Sequence, residues 1–185
     1  MIRLSIATGL LLLFTCAPTF AADFTLEKAH TQADFVVKHM FVSEVHGQIT
    51  LATGSATIAE NGLPSAINAT FDLTTFGTGN GTRDADLRDH YLPPAITFVE
   101  KSVKGNPKAF TITGNLTIHG VTKTVNIATT LDTTAVVQGK KHYAYSGTTT
   151  IDRRDYGIAF GPLLDNSLIT GDEVKIHFET DAQEN

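Results

Sequence analysis

The sequence predicts an all-β protein with a single antiparallel β-barrel of about eight strands and a short helix near residues 82–92. The main observation is that apolar residues recur at every second position in segments such as 110–118 and 125–131, which is typical of half-buried strands. Short turn signals separate these segments at a spacing that favours antiparallel hairpins. The 185 residues are 42% hydrophobic and 18% charged, a composition that indicates one globular domain.

The N-terminus is predicted to be a targeting segment. Leu4–Ala17 is apolar and uncharged, but it is shorter than the ~20 residues that a membrane-spanning helix needs. The small residues that follow fit a cleavage site near Ala21. We therefore expect a signal peptide over residues 1–21 and a single domain over residues 22–185 that is periplasmic or secreted. Cys16 leaves with the leader, so no disulfide is expected in the mature chain.

The first predicted strands begin at Phe24. The stretch Glu44–Ile58 is nearly continuous and long enough to bend, and Glu60–Gly62 supplies the turn after it. Alternating apolar residues then mark a strand over residues 67–73. This half of the chain is therefore predicted to form long strands joined by tight turns.

A short helix is expected to interrupt the strands. Thr82 can cap its first turn, and Asp84 complements the positive end of the helix. Leu87 and Tyr91 stand four positions apart and so share one face of the helix. Pro93 and the proline after it end the helix.

The second half of the chain returns to strands. The predicted turns are Lys104–Pro107, His119–Gly120 and Gln138–Gly139, and the predicted strands include 110–118, 125–131 and 174–178. A sandwich and a barrel can both bury one face of such a sheet. Long strands that bend favour the barrel, and an eight-stranded barrel can hold one small ligand.

Charge and motif content argue against several functions. Lys+Arg 14 against Asp+Glu 19 gives a net charge of -5, and no basic run is present, so we expect no nucleic-acid partner. The 7 histidines lack the spacing of zinc motifs, so we expect no metal and no cofactor. No Gly-x-Ser-x-Gly nucleophile motif occurs either.

Several blocks of the sequence together resemble the YceI-like, polyisoprenoid-binding protein family. They are Glu27–Met40, Thr78–Asn80 with Arg83–Arg88, Gly114–Lys123 and Ile151–Ile158 followed by Gly171–Val174. The run Leu-Thr-Ile-His-Gly-Val-Thr-Lys inside the third block is the most specific. The resemblance implies an exported, lipocalin-like barrel whose apolar cavity binds isoprenoid chains, isoprenoid quinones or other long lipids, without enzymatic activity. The connection over residues 88–96 is shorter than is usual in the family, which predicts a different cavity mouth.

Two groups of residues are candidates for the binding site. Arg83 and Asp84 are candidates for the mouth of the barrel, where they would meet a polar head group, and the alternative is a structural ion pair or helix cap. The apolar residues expected to line the cavity are Phe35, Val37, Phe41, Ile49, Leu51, Phe71, Leu73, Leu87, Tyr91, Ile96, Phe98, Phe110, Ile112, Leu116, Ile118, Val125, Ile127, Tyr145 and Phe178.

The leading hypothesis is an exported carrier of a long-chain isoprenoid or another lipophilic small molecule, which acts as a monomer or homodimer and contacts a membrane transiently. One alternative is an enzyme that acts on a lipid in the same cavity, for which acidic and histidine side chains should cluster inside the barrel. Another is an interaction module for a membrane redox or stress partner, for which large apolar patches should lie on the outer face.

Overall fold

The computed structural model describes residues 21–40, 42–92, 94–161 and 169–185. Nine antiparallel strands form one continuous sheet in this part of the chain. They are β1 (Ala21–Leu26), β2 (Gln32–His39), β3 (Ser43–Ala59), β4 (Pro64–Gly77), β5 (Ile96–Asn106), β6 (Ala109–Ile118), β7 (Val121–Val137), β8 (Lys140–Asp152) and β9 (Thr170–Glu184). No helix in the described ranges is long and apolar enough to cross a membrane.

The sheet closes into a ring of eight strand positions, as the sequence predicts. The order runs β3-β2-β9-β8-β7-β6-β5-β4, and β4 pairs back onto β3. β1 pairs with the end of β3 and the end of β9, so it occupies the same position in the ring as β2. The 3₁₀ helix Lys28–His30 separates these two short strands. The closed ring removes the sandwich alternative, because a sandwich has two sheets with free edges.

Period-two patterning explains which face of each strand is buried. In β6 the side chains of Phe110, Ile112 and Leu116 face the interior, while the threonines between them face outward. The outward hydroxyls bond across the strands; the Thr113 hydroxyl donates to the Asn126 amide oxygen over 2.7 Å. The apolar interior and the polar exterior therefore follow directly from the alternation.

Glycines on the inner face let phenylalanine rings lie flat against the sheet. The ring–glycine pairs are Phe35–Gly47, Phe98–Gly114 and Phe178–Gly147. A Cβ atom built on Gly147 would stand 2.4 Å from Cε1 of Phe178, far closer than van der Waals contact allows. The glycines therefore set the height of these rings above the barrel wall.

Aromatic side chains close one end of the barrel, which we call the aromatic end. Phe24 meets Tyr143 edge to face with ring centroids 5.3 Å apart, and Tyr145 packs between Tyr143 and Phe110. The Tyr145 hydroxyl donates a hydrogen bond to the Gly62 carbonyl over 3.0 Å. This end therefore combines buried rings with a fixed polar bond.

The opposite end, which we call the helical end, holds the predicted helix as two short segments. These are the helix α1 (Gly81–Asp86) and the π-helical turn Leu87–Tyr91. The predicted cap at Thr82 is wrong; Asn80 caps α1, because its side-chain oxygen accepts a hydrogen bond from the Arg83 backbone N–H. The predicted stop at Pro93 lies outside the described residues.

Candidate functional site

An apolar cavity of about 130 Å³ lies inside the barrel. Most strands of the ring contribute to its wall. The lining residues are Leu26, Thr31, Gln32, Leu51, Ala56, Pro64, Ile67, Ala69, Phe71, Phe98, Ile112, Leu116, Val125, Ile127, Tyr145, Thr149, Ile176, Phe178, Thr180 and Ala182. Among these described residues none carries a charged or histidine side chain. The cavity therefore offers van der Waals contact rather than acid–base or ionic chemistry.

The few hydroxyl groups on the wall already bond to the protein. The Thr31 and Thr180 hydroxyls lie 2.8 Å apart, and the Thr149 hydroxyl donates to the Asn126 carbonyl over 2.9 Å. Burial raises the pKa of Tyr145 above its usual value, so this side chain stays neutral. A ligand in this part of the cavity therefore meets a neutral wall whose polar atoms are occupied.

The size of the cavity limits what it can hold without rearrangement. An apolar cavity of about 150 Å³ in another protein admits a benzene molecule, whereas sites for larger ligands span about 300–1,000 Å³. The volume of 130 Å³ in this protein is close to that of the benzene-sized cavity. A long chain therefore needs lining side chains to change rotamer, and the rings of Phe98 and Phe178 are among the largest groups on the wall.

The structure divides the predicted lining residues into two groups. Those that line the cavity are Leu51, Phe71, Phe98, Ile112, Leu116, Val125, Ile127, Tyr145 and Phe178. Those that do not line it are Phe35, Val37, Ile49, Leu73, Leu87, Tyr91, Ile96, Phe110 and Ile118. Phe41 lies outside the described residues. The contact of the first group with a ligand stays a prediction.

The second group misses the cavity because the cavity occupies only part of the barrel's length. Phe35 stacks on Phe76 with ring centroids 5.2 Å apart, and Tyr91 packs edge-on against Phe160. Phe110 belongs to the aromatic end. Val37 is half-buried, and the remaining members pack at other levels of the interior; these are Ile49, Ile118, Leu73, Leu87 and Ile96.

Several lining residues were missed by the sequence analysis. They are Leu26, Thr31, Gln32, Ala56, Pro64, Ile67, Ala69, Thr149, Ile176, Thr180 and Ala182. Ile67, Ala69 and Ile176 do lie in alternating segments, so their inward orientation was readable. The three threonines, Ala56 and Ala182 carried no such signal, because a threonine or an alanine does not by itself mark the buried face of a strand.

Arg83 and Asp84 bond within the helical end. The Thr78 backbone N–H and hydroxyl both donate to the Asp84 carboxylate, the former over 2.9 Å. The Arg83 guanidinium donates to the Thr78 hydroxyl over 2.8 Å and to its carbonyl over 3.2 Å. Burial opposes ionisation of Asp84, but the Thr78 bonds and the charges of Arg83 and Arg88 outweigh it and hold the pKa below its usual value.

A second ionic cluster surrounds Arg153, which is only 3% exposed. Its guanidinium donates to the Ile158 and Gly171 carbonyls and, over 2.8 Å, to the Asp172 carboxylate. The guanidinium carbon also lies 4.7 Å from the centre of the Phe160 ring. Because each partner neutralises or satisfies part of the cation, this arginine ties Ile158 to the start of β9 at Gly171 and Asp172.

The described residues also bear on two other kinds of site, a metal site and an apolar docking surface. The described residues contain no group of three or more histidine, cysteine, aspartate or glutamate side chains that could hold a metal ion. The exposed large apolar side chains are Met40, Val42, Val99, Val136 and Val137. They lie at the β2–β3 turn, on β5 and at the tip of the β7–β8 hairpin, so they are distributed over separate regions.

Comparison with known proteins agrees with this architecture. The sequence matches the YceI-like domain family over residues 24–182. A UPF0312 protein of Pseudomonas aeruginosa is 33% identical over 160 residues, which cover 79% of this chain and 81% of the relative. The crystal structure of the Campylobacter jejuni YCEI protein has a TM-score of 0.65 and 26% identity over 80% of this chain and 90% of that chain.

A more distant similarity concerns the fold alone. A polyisoprenoid binding domain from Saccharophagus degradans, implicated in plant cell wall breakdown, has a TM-score of 0.59 at 14% identity. The match covers 90% of this chain and 100% of that domain.

Proposed function

This chain belongs to the YceI-like family, and from that premise we propose that it is an exported carrier that holds a long apolar ligand in the barrel. The ligand is a polyisoprenoid, an isoprenoid quinone or another lipid. The observation that carries the proposal is a closed barrel with an uncharged, apolar cavity at its centre. The ligand class is the one that the family resemblance implies, and the polyisoprenoid binding domain from Saccharophagus degradans shares the fold.

Energetics favour a long and well-enclosed chain. Each buried methylene contributes about 0.8 kcal/mol, so ten contribute about 8 kcal/mol. Association costs about 4–15 kcal/mol, so a short chain gains too little to bind well. Because the cavity now measures about 130 Å³, we propose that loading moves the Phe98 and Phe178 rings off their glycines and extends the cavity along the barrel.

The described cavity wall lacks the side chains that the enzyme alternative requires. It required acidic and histidine groups clustered in the cavity, and the described wall consists of apolar, hydroxyl and one amide side chain. The interaction-module alternative expected large apolar patches on the outer face, whereas the exposed large apolar side chains of the described residues are distributed over separate regions. We therefore propose binding and release of a ligand as the complete activity.

The first test is to purify the full chain after export in a bacterial host and to analyse it by mass spectrometry. The intact mass shows whether the leader has been removed near Ala21, which is the expected result for an exported protein. The organic extract, compared with a matched blank, should contain a near-stoichiometric long-chain lipid. A protein that carries no lipid and takes up no apolar fluorescent probe would overturn the proposal.

A further inference from the structure

Tyr156 is a buried tyrosine whose hydroxyl has no hydrogen-bond partner. It ends the 3₁₀ helix Arg153–Tyr156, which follows β8, and is 1% exposed. The hydroxyl finds no partner in the structure among the described residues. A buried polar group without a partner costs stability and is rare in folded proteins, so it requires an explanation.

The position of Tyr156 links it to the cavity. Its 3₁₀ helix packs against β7, β8 and β9 at the helical end of the barrel. These same strands contribute Ile127, Thr149 and Ile176 to the cavity wall. Tyr156 does not line the 130 Å³ cavity, so a ligand reaches its ring only by extending from the cavity along these strands to the helical end.

The hydroxyl is suited to donate a hydrogen bond rather than to ionise. Burial, with a smaller contribution from the Asp155 charge, raises the pKa of Tyr156 to about 12. Tyr145 provides the contrast at the aromatic end, because its buried hydroxyl already donates to the Gly62 carbonyl. Of these two buried tyrosines, only Tyr156 has a donor to offer a ligand.

The charged groups at this end indicate a neutral ligand group. The Arg153 guanidinium already donates to two carbonyls and to the Asp172 carboxylate, and the Arg83 guanidinium donates to Thr78. The charges of Arg83 and Arg88 at the same end already act on the buried carboxylate of Asp84. These contacts disfavour a phosphate and favour an uncharged acceptor.

On the basis of the proposed carrier function, we propose that the Tyr156 hydroxyl donates a hydrogen bond to a neutral carbonyl oxygen at the end of the ligand. The ligand class is then a long apolar chain that ends in a carbonyl, as in an isoprenoid quinone or a fatty ester. Its chain lies in the cavity, and its carbonyl lies at the helical end.

The test compares two probes of equal chain length, 2-pentadecanone and pentadecane, by displacement of a fluorescent apolar dye. The wild type is compared with Tyr156→Phe, which removes only the hydroxyl, and with Tyr143→Phe, a matched buried tyrosine outside the cavity wall. We expect Tyr156→Phe to lower the ketone-to-alkane affinity ratio about three- to tenfold, the effect of one lost hydrogen bond. Tyr143→Phe should leave this ratio unchanged.

Stability and spectroscopy make the outcome decisive. Because no protein bond is lost, Tyr156→Phe should unfold at the wild-type temperature or above it, whereas a structural hydroxyl would lower that temperature. In the wild type, the infrared carbonyl stretch of bound 2-pentadecanone should lie at a lower wavenumber than that of the ketone in an apolar solvent. This measurement does not depend on any variant. An unchanged affinity ratio with normal ketone binding would overturn the inference and leave the carrier function intact.

Further probes identify the source and the charge of the ligand group. Ubiquinone-2 and methyl myristate represent the quinone and the ester, and the natural class should bind more tightly and lose affinity in Tyr156→Phe. Pentadecyl phosphate tests the anionic alternative; if it binds more tightly than the ketone, the neutral carbonyl is wrong. If no probe binds the wild type, the carrier function fails and this inference fails with it.

Discussion

Filling the cavity should change stability and binding in opposite directions. Ala56 is buried in β3 and contributes to the cavity wall, so the substitution Ala56→Leu adds carbons to an empty apolar space. At about 24 cal/mol per Å³, a 130 Å³ cavity costs the folded protein about 3 kcal/mol. The added carbons can recover at most about 2.4 kcal/mol at ~0.8 kcal/mol each, and rotamer strain lowers this to about 1–2 kcal/mol. The expected rise in Tm is therefore about 2–8 °C.

The same carbons occupy space that a ligand would use. Losing contact with about three methylenes should weaken a long-chain probe by about 50-fold. The assays are thermal unfolding and dye displacement by the same chain, with Ala128→Leu on the exposed outer face of β7 as the matched control. The reasoning is refuted if Ala56→Leu binds the probe as tightly as Ala128→Leu does, because the ligand then lies elsewhere.

The remaining predictions concern the wall and the helical end. Gly147→Ala should lower the free energy of unfolding by about 1–3 kcal/mol in urea titration, because Phe178 occupies the added methyl's position; unchanged stability would contradict that close approach. Asp84→Asn should cost about 1–3 kcal/mol at pH 7. The pKa of Asp84 is lower in the folded state, so its contribution is complete above pH ~3.9 and disappears as pH falls through the folded pKa. The variant and the wild type should therefore converge in acid, and a constant difference would show that ionisation is irrelevant. Arg153→Met should lower Tm by about 6–20 °C, because it leaves the buried acceptors around Arg153 without their cation. Arg153→Lys should recover part of this loss in Tm. A wild-type Tm for both variants would show that the cluster is dispensable.

The sequence predicted the barrel well because one physical signal governs it. A strand with a buried and an exposed face must alternate; the alternation is uninterrupted in β6 and holds over residues 125–131 of β7. The division of one ring position between β1 and β2 could not be predicted from the sequence, because it depends on the pairing of both strands with the distant strand β9. Local sequence carries no information about such long-range register.

The cavity was harder to predict than the barrel. Phe35 and Phe98 are both predicted to face the interior from a strand, and both rings lie over a glycine. Only Phe98, however, lines the cavity. The difference arises because Phe76 stacks on Phe35 and fills the space beside it. Which inward residues face a void is decided by the sum of side-chain volumes at each level of the barrel, which requires the three-dimensional packing.

The two ends of the barrel suggest how a ligand is oriented. At the aromatic end Phe24, Tyr143 and Tyr145 are buried against one another, and the Tyr145 hydroxyl is bonded to Gly62, so opening that end would separate packed rings and break a buried hydrogen bond. Removal of one buried aromatic side chain costs about 3–5 kcal/mol, so opening this end is costly. The helical end is closed instead by short 3₁₀ and π-helical segments, and it carries the unpartnered Tyr156 hydroxyl among the described residues. We therefore expect an apolar tail to point towards the aromatic end and the polar group of the ligand to remain at the helical end.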